Sequence, residues 1–234
     1  MNTTFSARDV VQTDLDYVCR NLRDEFTRLS GHTLLITGGA GFLGYYLVQS
    51  VLEWNKRAGD STAPIKITVC DNYVRGVPAW LKGLDGTAHL SIAEADITKI
   101  RPQDLGNFEY IIHAASIASP TYYRKYPIET MDANVNGLRT LLEHFKHQKT
   151  HGRALGFLFF SSSEIYGDPP PEHIPTPETF RGYVSSTGPR ACYDEAKRYG
   201  ETLCVNFAQQ YCLPIAMHMH WATNVLSSTG ASNE

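Results

Sequence analysis

The chain has 234 residues, 42% of them hydrophobic and 19% charged, which is enough for one sizeable core and too little for two large domains. A formal net charge of -3 supplies no basic footprint for nucleic acid, and no apolar run reaches membrane-spanning length, so neither nucleic acid nor membrane is an expected partner. Asp9, Asp14 and Asp16 stand where a signal peptide needs an apolar core, and five cysteines without a C-x-x-C pair suggest neither a disulfide framework nor a zinc site; both point to a cytoplasmic protein.

Val10, Val11, Leu15, Val18, Leu22, Phe26 and Leu29 recur at helical spacing, which predicts an amphipathic helix, or two, in an N-terminal helical extension over residues 1–30. This extension either lies across the domain that follows or joins a second subunit. Next, the apolar run Thr33-Leu34-Leu35-Ile36-Thr37 stops at glycine and a helix-compatible segment starts at Phe42 and Leu43, the strand-turn-helix opening of a βαβ unit. Gly38 permits the tight turn, Gly41 lets backbone approach a pyrophosphate, and Gly44 lets the helix pack closely on the sheet. Unpaired N–H groups at the helix start then face the anion. The spacing Gly38-x-x-Gly41-x-x-Gly44 has one more residue in the turn than G-x-G-x-x-G, and its plain alternative is an ordinary strand-to-helix turn.

A second strand from Ile65 to Cys70 ends at Asp71-Asn72, where an acid accepts hydrogen bonds from ribose hydroxyls and repels a 2′-phosphate. NAD is therefore expected over NADP, with Arg75 softening the preference; the alternative for Asp71 is a surface turn acid. The third strand, Ala88 to Ala93, leads to Asp96-Ile97. Either Asp96 accepts from an adenine amino group while Ile97 packs on the ring, or Asp96 is a helix N-cap. Tyr110 to Ser116 forms a fourth strand that ends in the small residues Ala114, Ala115 and Ser116, past which a cofactor fits, with His113 as a core histidine.

A helix from about Pro127 through Leu142 follows, with Asn134 and Gly137 on its inner side. Ala154 to Ser161 is the fifth strand, Tyr193 to Tyr211 a long helix, and Pro214 to His218 the start of a sixth strand. Strands alternating with helices at this spacing predict an α/β architecture, a doubly wound parallel sheet with helices on both faces, over residues 31–216.

Two stretches carry chemistry. Ser161-Ser162-Ser163-Glu164-Ile165-Tyr166-Gly167 closes the fifth strand, at the sheet end where ligands of open α/β folds collect. Tyr193-Asp194-Glu195-Ala196-Lys197 opens the long helix and puts a phenol and an ammonium on one face. An ammonium beside a phenol lowers its pKa toward working pH, so that Tyr193 acts as a base, while Ser162 or Ser163 orients the same substrate oxygen. The alternative is a solvated tyrosine–lysine pair.

Together the glycine turn, Asp71-Asn72, Asp96-Ile97, Ser162-Ser163-Glu164-Ile165-Tyr166-Gly167 and Tyr193-x-x-x-Lys197 resemble the extended short-chain dehydrogenase/reductase superfamily of nucleotide-sugar enzymes. Within it the chain is most similar to the UDP-glucuronate decarboxylases, on Ala118-Ser119-Pro120, Tyr126-Pro127-Ile128 and Gly188-Pro189-Arg190-Ala191-Cys192-Tyr193-Asp194-Glu195. The resemblance covers roughly Thr33 to Ala216 and implies a Rossmann fold and NAD as cofactor. The dinucleotide would be held by Gly38, Gly41, Phe42, Leu43, Asp71, Asn72, Asp96, Ile97, Ala114, Ala115, Ser116, Tyr193 and Lys197. It also implies a UDP-sugar, UDP-glucuronate, met by Ser119, Pro120, Glu164 and Arg190, with catalysis by Tyr193, Lys197, Ser162, Ser163 and Glu164. Serine before Glu164 resembles the decarboxylases; the 4,6-dehydratases carry an Asp-Glu pair there, and the epimerases usually have a small residue in place of the glutamate. Arg190 approaches the anionic part of the substrate or is an exposed charge. A homodimer through the helix after the fourth strand and the tyrosine-bearing helix is the implied assembly.

The resemblance stops after Ala216, where family members continue into a smaller lobe that clasps the UDP-sugar. The expectation is a truncated or frameshifted product with no strand continuation, a divergent polar tail over residues 217–234, and crippled UDP-sugar binding. Met217-His218-Met219-His220 supplies two histidines without further ligands at suitable spacing, so no metal is expected.

Overall fold

A computed structural model describes residues 6–218. Its sheet contains β1 (Thr33–Thr37), β2 (Lys66–Asp71), β3 (Leu90–Glu94), β4 (Tyr110–His113), β5 (Gly156–Phe160) and β6 (Ile215–His218), all parallel, in the order β3-β2-β1-β4-β5-β6. The order reverses between β1 and β4, where Thr37 pairs with Cys70 on one side and His113 on the other, and the reversal opens a crevice beyond the strands' carboxyl ends.

Period-two alternation explains the two cores. Leu34, Ile36, Ile67 and Val69 face one apolar cluster with Val48 and Val51, while Leu35, Ile111, Phe157 and Phe159 face the other with Leu138, Leu141 and Phe145. Helices α1 (Ala7–Asn21), α2 (Arg23–Leu29), α3 (Phe42–Ala58) and the short α4 (Ala79–Lys82) come first in the chain; α5 (Pro120–Lys125), α6 (Pro127–Asp132), α7 (Leu138–Thr150) and α8 (Ala191–Tyr211) follow β4.

A capping box starts α1: Ser6 Oγ accepts from the Asp9 N–H, and the Asp9 carboxylate accepts from the Ser6 N–H at 2.9 Å. Within the chain, α1 and α2 pack on α3. Phe26 stacks on Trp54 with centroids 5.3 Å apart, Trp54 Nε1 donates to Ser30 Oγ, and the Tyr46 hydroxyl donates to Asp14.

Two expectations change. The helix after β4 runs on from Pro127 to Thr150 without a break but widens into a π-type turn over Ala133–Gly137, between α6 and α7. There Asn134 Nδ2 donates to the Thr130 carbonyl, and Gly137 lets Ile97 close, since a Cβ on Gly137 would lie 2.7 Å from Ile97 Cγ2. The sixth strand also runs past Ala216, because Met217 and His218 pair in register with Phe159 and Phe160. The remainder of the tail, from residue 219 on and including His220, lies outside the described residues. No helix among the described residues is long and apolar enough to cross a membrane.

Candidate active site

The glycine turn is built by backbone contact. Gly38 has φ 72°, its N–H donates to the Cys70 carbonyl at 2.8 Å, and a Cβ there would lie 2.5 Å from the Ala115 nitrogen. Ala114 and Ala115 therefore stand against the turn itself. Gly44 brings α3 down on the turn, where a Cβ would lie 2.2 Å from the Gly39 carbonyl oxygen. Helix α3 begins after Gly41 with no side-chain cap and no acid in its first turn, so its first N–H groups, beside exposed Phe42 and half-buried Leu43, have no side-chain acceptor.

Asp71 stands at the carboxyl end of β2 and also braces the turn: Oδ2 accepts from the Ala40 N–H at 3.1 Å and Oδ1 from the Tyr73 N–H at 3.0 Å. Asn72 Oδ1 accepts from the Val74 N–H, and Arg75 is exposed. Ser116 Oγ is buried without a hydrogen-bond partner among the described residues, a condition a polar ligand would relieve. An anion-ready helix start, a glycine cradle, an acid at the second strand end and an unpartnered buried hydroxyl together fit a dinucleotide.

Asp96 Oδ1 accepts from both the N–H and the hydroxyl of Thr98 while Oδ2 pairs with Lys99 at 3.3 Å, so it caps a turn and starts no helix. Ile97 is 5% exposed and packs under Gly137, which places its side chain in the core. His113 is buried, bonds Thr37 Oγ1 at 2.7 Å, and is pushed down to about 3 by burial, as a core histidine should be.

At the other end of the crevice Ser162 begins a 3-10 turn over Ser163–Tyr166, its Oγ accepting from the Glu164 N–H. Tyr193 is 6% exposed, stacks on Tyr123 of α5 at 5.3 Å and lies near enough to the Ser162 hydroxyl for that group to lower its pKa. Lys197 is 3% exposed and donates from Nζ to the Phe160 carbonyl at 2.6 Å, with Nζ 5.8 Å from the Tyr193 ring centre. The geometry thus brings Ser162, Tyr193 and Lys197 together at the end of β5.

The expected depression of the Tyr193 pKa is corrected. Burial pushes it above its ordinary value of 10, and the nearby Ser162 hydroxyl only partly offsets this. Lys197 is itself pushed down to about 7 by burial, so its ammonium is a weakened cation in this chain alone.

Sequence reasoning missed how Glu164 and Arg190 meet. They form an ion pair, and Arg190 Nε also lies 3.5 Å from Asp194 Oδ2. Burial raises the Asp194 pKa while Arg190 opposes the rise. Arg198 was missed as well: Nη1 donates to the carbonyls of Ile165 (2.7 Å) and Arg181 (2.8 Å), riveting the serine turn to the loop before α8. Glycines 167 and 182 were the available signal, since both have positive φ and both are crowded by backbone across that contact. Ser163 is partly buried, whereas Ser119 and Pro120 form the start of α5 and reach the site through that helix's Tyr123. Among the described residues no group of three or more His, Cys, Asp or Glu side chains is placed to hold a metal ion.

Comparison with known proteins agrees with this geometry. The family described as NAD dependent epimerase/dehydratase matches residues 34–226. UDP-glucuronic acid decarboxylase 5 of Arabidopsis thaliana is 34% identical over 80% of this chain and 49% of its own length, and UDP-glucuronic acid decarboxylase 1 of Xenopus tropicalis is 34% identical over 76% and 38%. The chain spans about half the length of the Arabidopsis relative. Among solved structures, UDP-N-acetylglucosamine 4-epimerase of Methanobrevibacter ruminantium superposes with a TM-score of 0.63 at 22% identity, over 80% of this chain and 53% of that one. Bordetella bronchiseptica WbmF in complex with NADH gives 0.62 at 20% identity, over 82% and 49%. At these identities the superpositions establish the fold.

Proposed function

This chain belongs to the NAD dependent epimerase/dehydratase family, and from that premise we propose that it binds NAD and acts on a nucleotide sugar, with decarboxylation of UDP-glucuronate toward UDP-xylose as its reaction. The observation that carries the reading is the meeting of Ser162, Tyr193 and Lys197 where β5 ends. The decarboxylase names of the relatives and the Ser163-Glu164 pair favour this chemistry over epimerisation or dehydration.

Gly38, Gly41 and the first N–H groups of α3 hold the pyrophosphate, Asp71 the adenosine ribose, and Ser116 a polar group further along the dinucleotide. When bound, NAD supplies the acceptor for the hydrogen at sugar C4. Tyr193 takes the proton of the C4 hydroxyl, with Ser162 donating to the same oxygen. The sugar is then a β-keto acid, and carbon dioxide leaves because the ketone oxygen, held by Ser162 and Tyr193, accommodates the electrons left at C5. Lys197, withdrawn behind Phe160, would favour the Tyr193 phenolate only while it keeps its proton, and it does so against the opposing effect of burial. C5 then takes up a proton and the hydrogen removed from C4 is returned there, so the net change, UDP-glucuronate and one proton to UDP-xylose and carbon dioxide, is redox-neutral. Exposed Ile128 and Met131 on α6 and Tyr199 and Val205 on α8 support a homodimer built on these helices.

A second reading is a dinucleotide-binding module without turnover, favoured by burial raising the Tyr193 pKa and lowering that of Lys197, both opposite to what a proton-abstracting phenol needs. Separate calorimetric titrations with NAD and with UDP-glucuronate decide between them. Saturable binding of both supports the enzyme, and NAD binding with no UDP-glucuronate heat supports the module.

A further inference from the structure

Arg190 immediately precedes α8, three residues before Tyr193, and its guanidinium is shared by carboxylates from two different elements. Glu164 comes from the turn after β5; Asp194 sits four residues further along α8. The two acids are not equivalent. Asp194 has a side chain only 8% exposed, and its Oδ1 is buried with no hydrogen-bond partner among the described residues. Removing its cation would leave an uncompensated buried charge, so this arm of the contact is fixed. Glu164 and Arg190 are 38% and 40% exposed, in the range where solvent screens an ion pair to little net worth. That arm is exchangeable.

The other cations of α8 are committed elsewhere. Lys197 donates inward to the Phe160 carbonyl; Arg198 holds the Ile165 and Arg181 carbonyls and lies 3.7 Å from Glu195. Two carboxylates against one guanidinium also repel a third, unless one of the two withdraws.

We propose that Arg190 is the acid-recognising residue of the sugar end, that Asp194 anchors it, and that Glu164 is a resting counter-ion which the carboxylate of a sugar acid displaces. This rests on the nucleotide-sugar reading and narrows it to uronate-type ligands over neutral hexoses. Displacement also frees the Glu164 carboxylate beside the bound sugar, so one exchange couples recognition of the acid to release of a second acid at the site.

Isothermal titration of the NAD-saturated chain with UDP-glucuronate and with UDP-glucose tests this in wild type, Arg190→Gln and Glu164→Gln. Wild type should prefer the acid. Arg190→Gln should weaken UDP-glucuronate by about tenfold or more, the worth of a charge-assisted hydrogen bond, and leave UDP-glucose within about twofold. Glu164→Gln should tighten UDP-glucuronate alone, because the competitor is gone. Equal weakening of both sugars by Arg190→Gln, or weaker UDP-glucuronate binding in Glu164→Gln, overturns the exchange. If wild type binds the two sugars equally, only this proposal falls. If it binds neither while binding NAD, the nucleotide-sugar reading falls with it.

Discussion

Replacing Gly38 by alanine should damage dinucleotide binding out of proportion to its effect on the rest of the fold. At φ 72° an alanine costs about 1–2 kcal/mol. Its Cβ would also lie 2.5 Å from the Ala115 nitrogen, 2.6 Å from Ala115 Cα and 2.7 Å from the Ala114 carbonyl carbon, all main-chain atoms at the end of β4. Relief requires the turn to move by roughly 1 Å, at a further cost of about 1–3 kcal/mol of the kind seen in overpacked cores. The sum, about 2–5 kcal/mol, corresponds to a drop in Tm on the order of 10 °C for a chain of this size. The same displacement misaligns the N–H groups that face the diphosphate, where one charge-assisted hydrogen bond is worth about 1.5–3 kcal/mol, so NAD affinity should fall at least tenfold. Gly76→Ala is the control: its φ is 83° but nothing lies within 4 Å of the added Cβ. It should lose only about 1–2 kcal/mol and bind NAD normally. Calorimetric melting and NAD titration of both variants read this out. A Gly38→Ala protein that binds NAD as wild type does would refute the account of the turn.

Two further outcomes follow from packing and burial. Phe26→Ala removes a 5% exposed ring from the Trp54 stack and should destabilise the chain by about 3–5 kcal/mol in urea unfolding, with NAD affinity unchanged in the folded fraction; a loss under 1 kcal/mol would mean that α1 and α2 are not part of the core. Lys197 holds its proton less tightly in the folded chain, at about 7, than at its ordinary 10.5. The unfolded state therefore binds more protons at Lys197 between those values, so this residue's contribution to stability of the NAD-free chain should rise with pH across that window, by a total on the order of 5 kcal/mol, opposed above about pH 9 by the buried thiols of Cys70 and Cys204, which burial pushes up to about 11 and about 12. Lys197→Met should flatten this slope; an unchanged slope would show that the ammonium is not the buried group responsible.

Strands β1, β2, β4 and β5 were legible because they are short apolar runs rich in β-branched or aromatic residues, and because the Leu34-Leu35-Ile36 sequence needs apolar neighbours on both faces. The glycine turn and the Tyr193–Lys197 spacing were legible for the same reason: their meaning is local. What escaped depends on partners distant in sequence. The wide turn at Ala133–Gly137 ends where Gly137 meets Ile97, forty residues away along the chain. The Glu164–Arg190 pair joins two loops with no shared periodicity. The Tyr193 pKa went the wrong way because spacing reports that a lysine is near and says nothing of how deeply both groups are buried. Asp96 was ambiguous between a ligand contact and a cap; its Thr98 bonds are turn chemistry that the sequence Asp96-Ile97-Thr98 permits without requiring.

The most direct measurement incubates the chain with NAD and UDP-glucuronate and follows carbon dioxide and UDP-pentose, alongside a Tyr193→Phe protein shown to bind NAD equally well. The account predicts UDP-pentose and an equal amount of carbon dioxide from the wild type, and loss of both by a factor of about a hundred or more without the phenol. Equal product from the two proteins, or none from a wild type that binds both ligands, would contradict it.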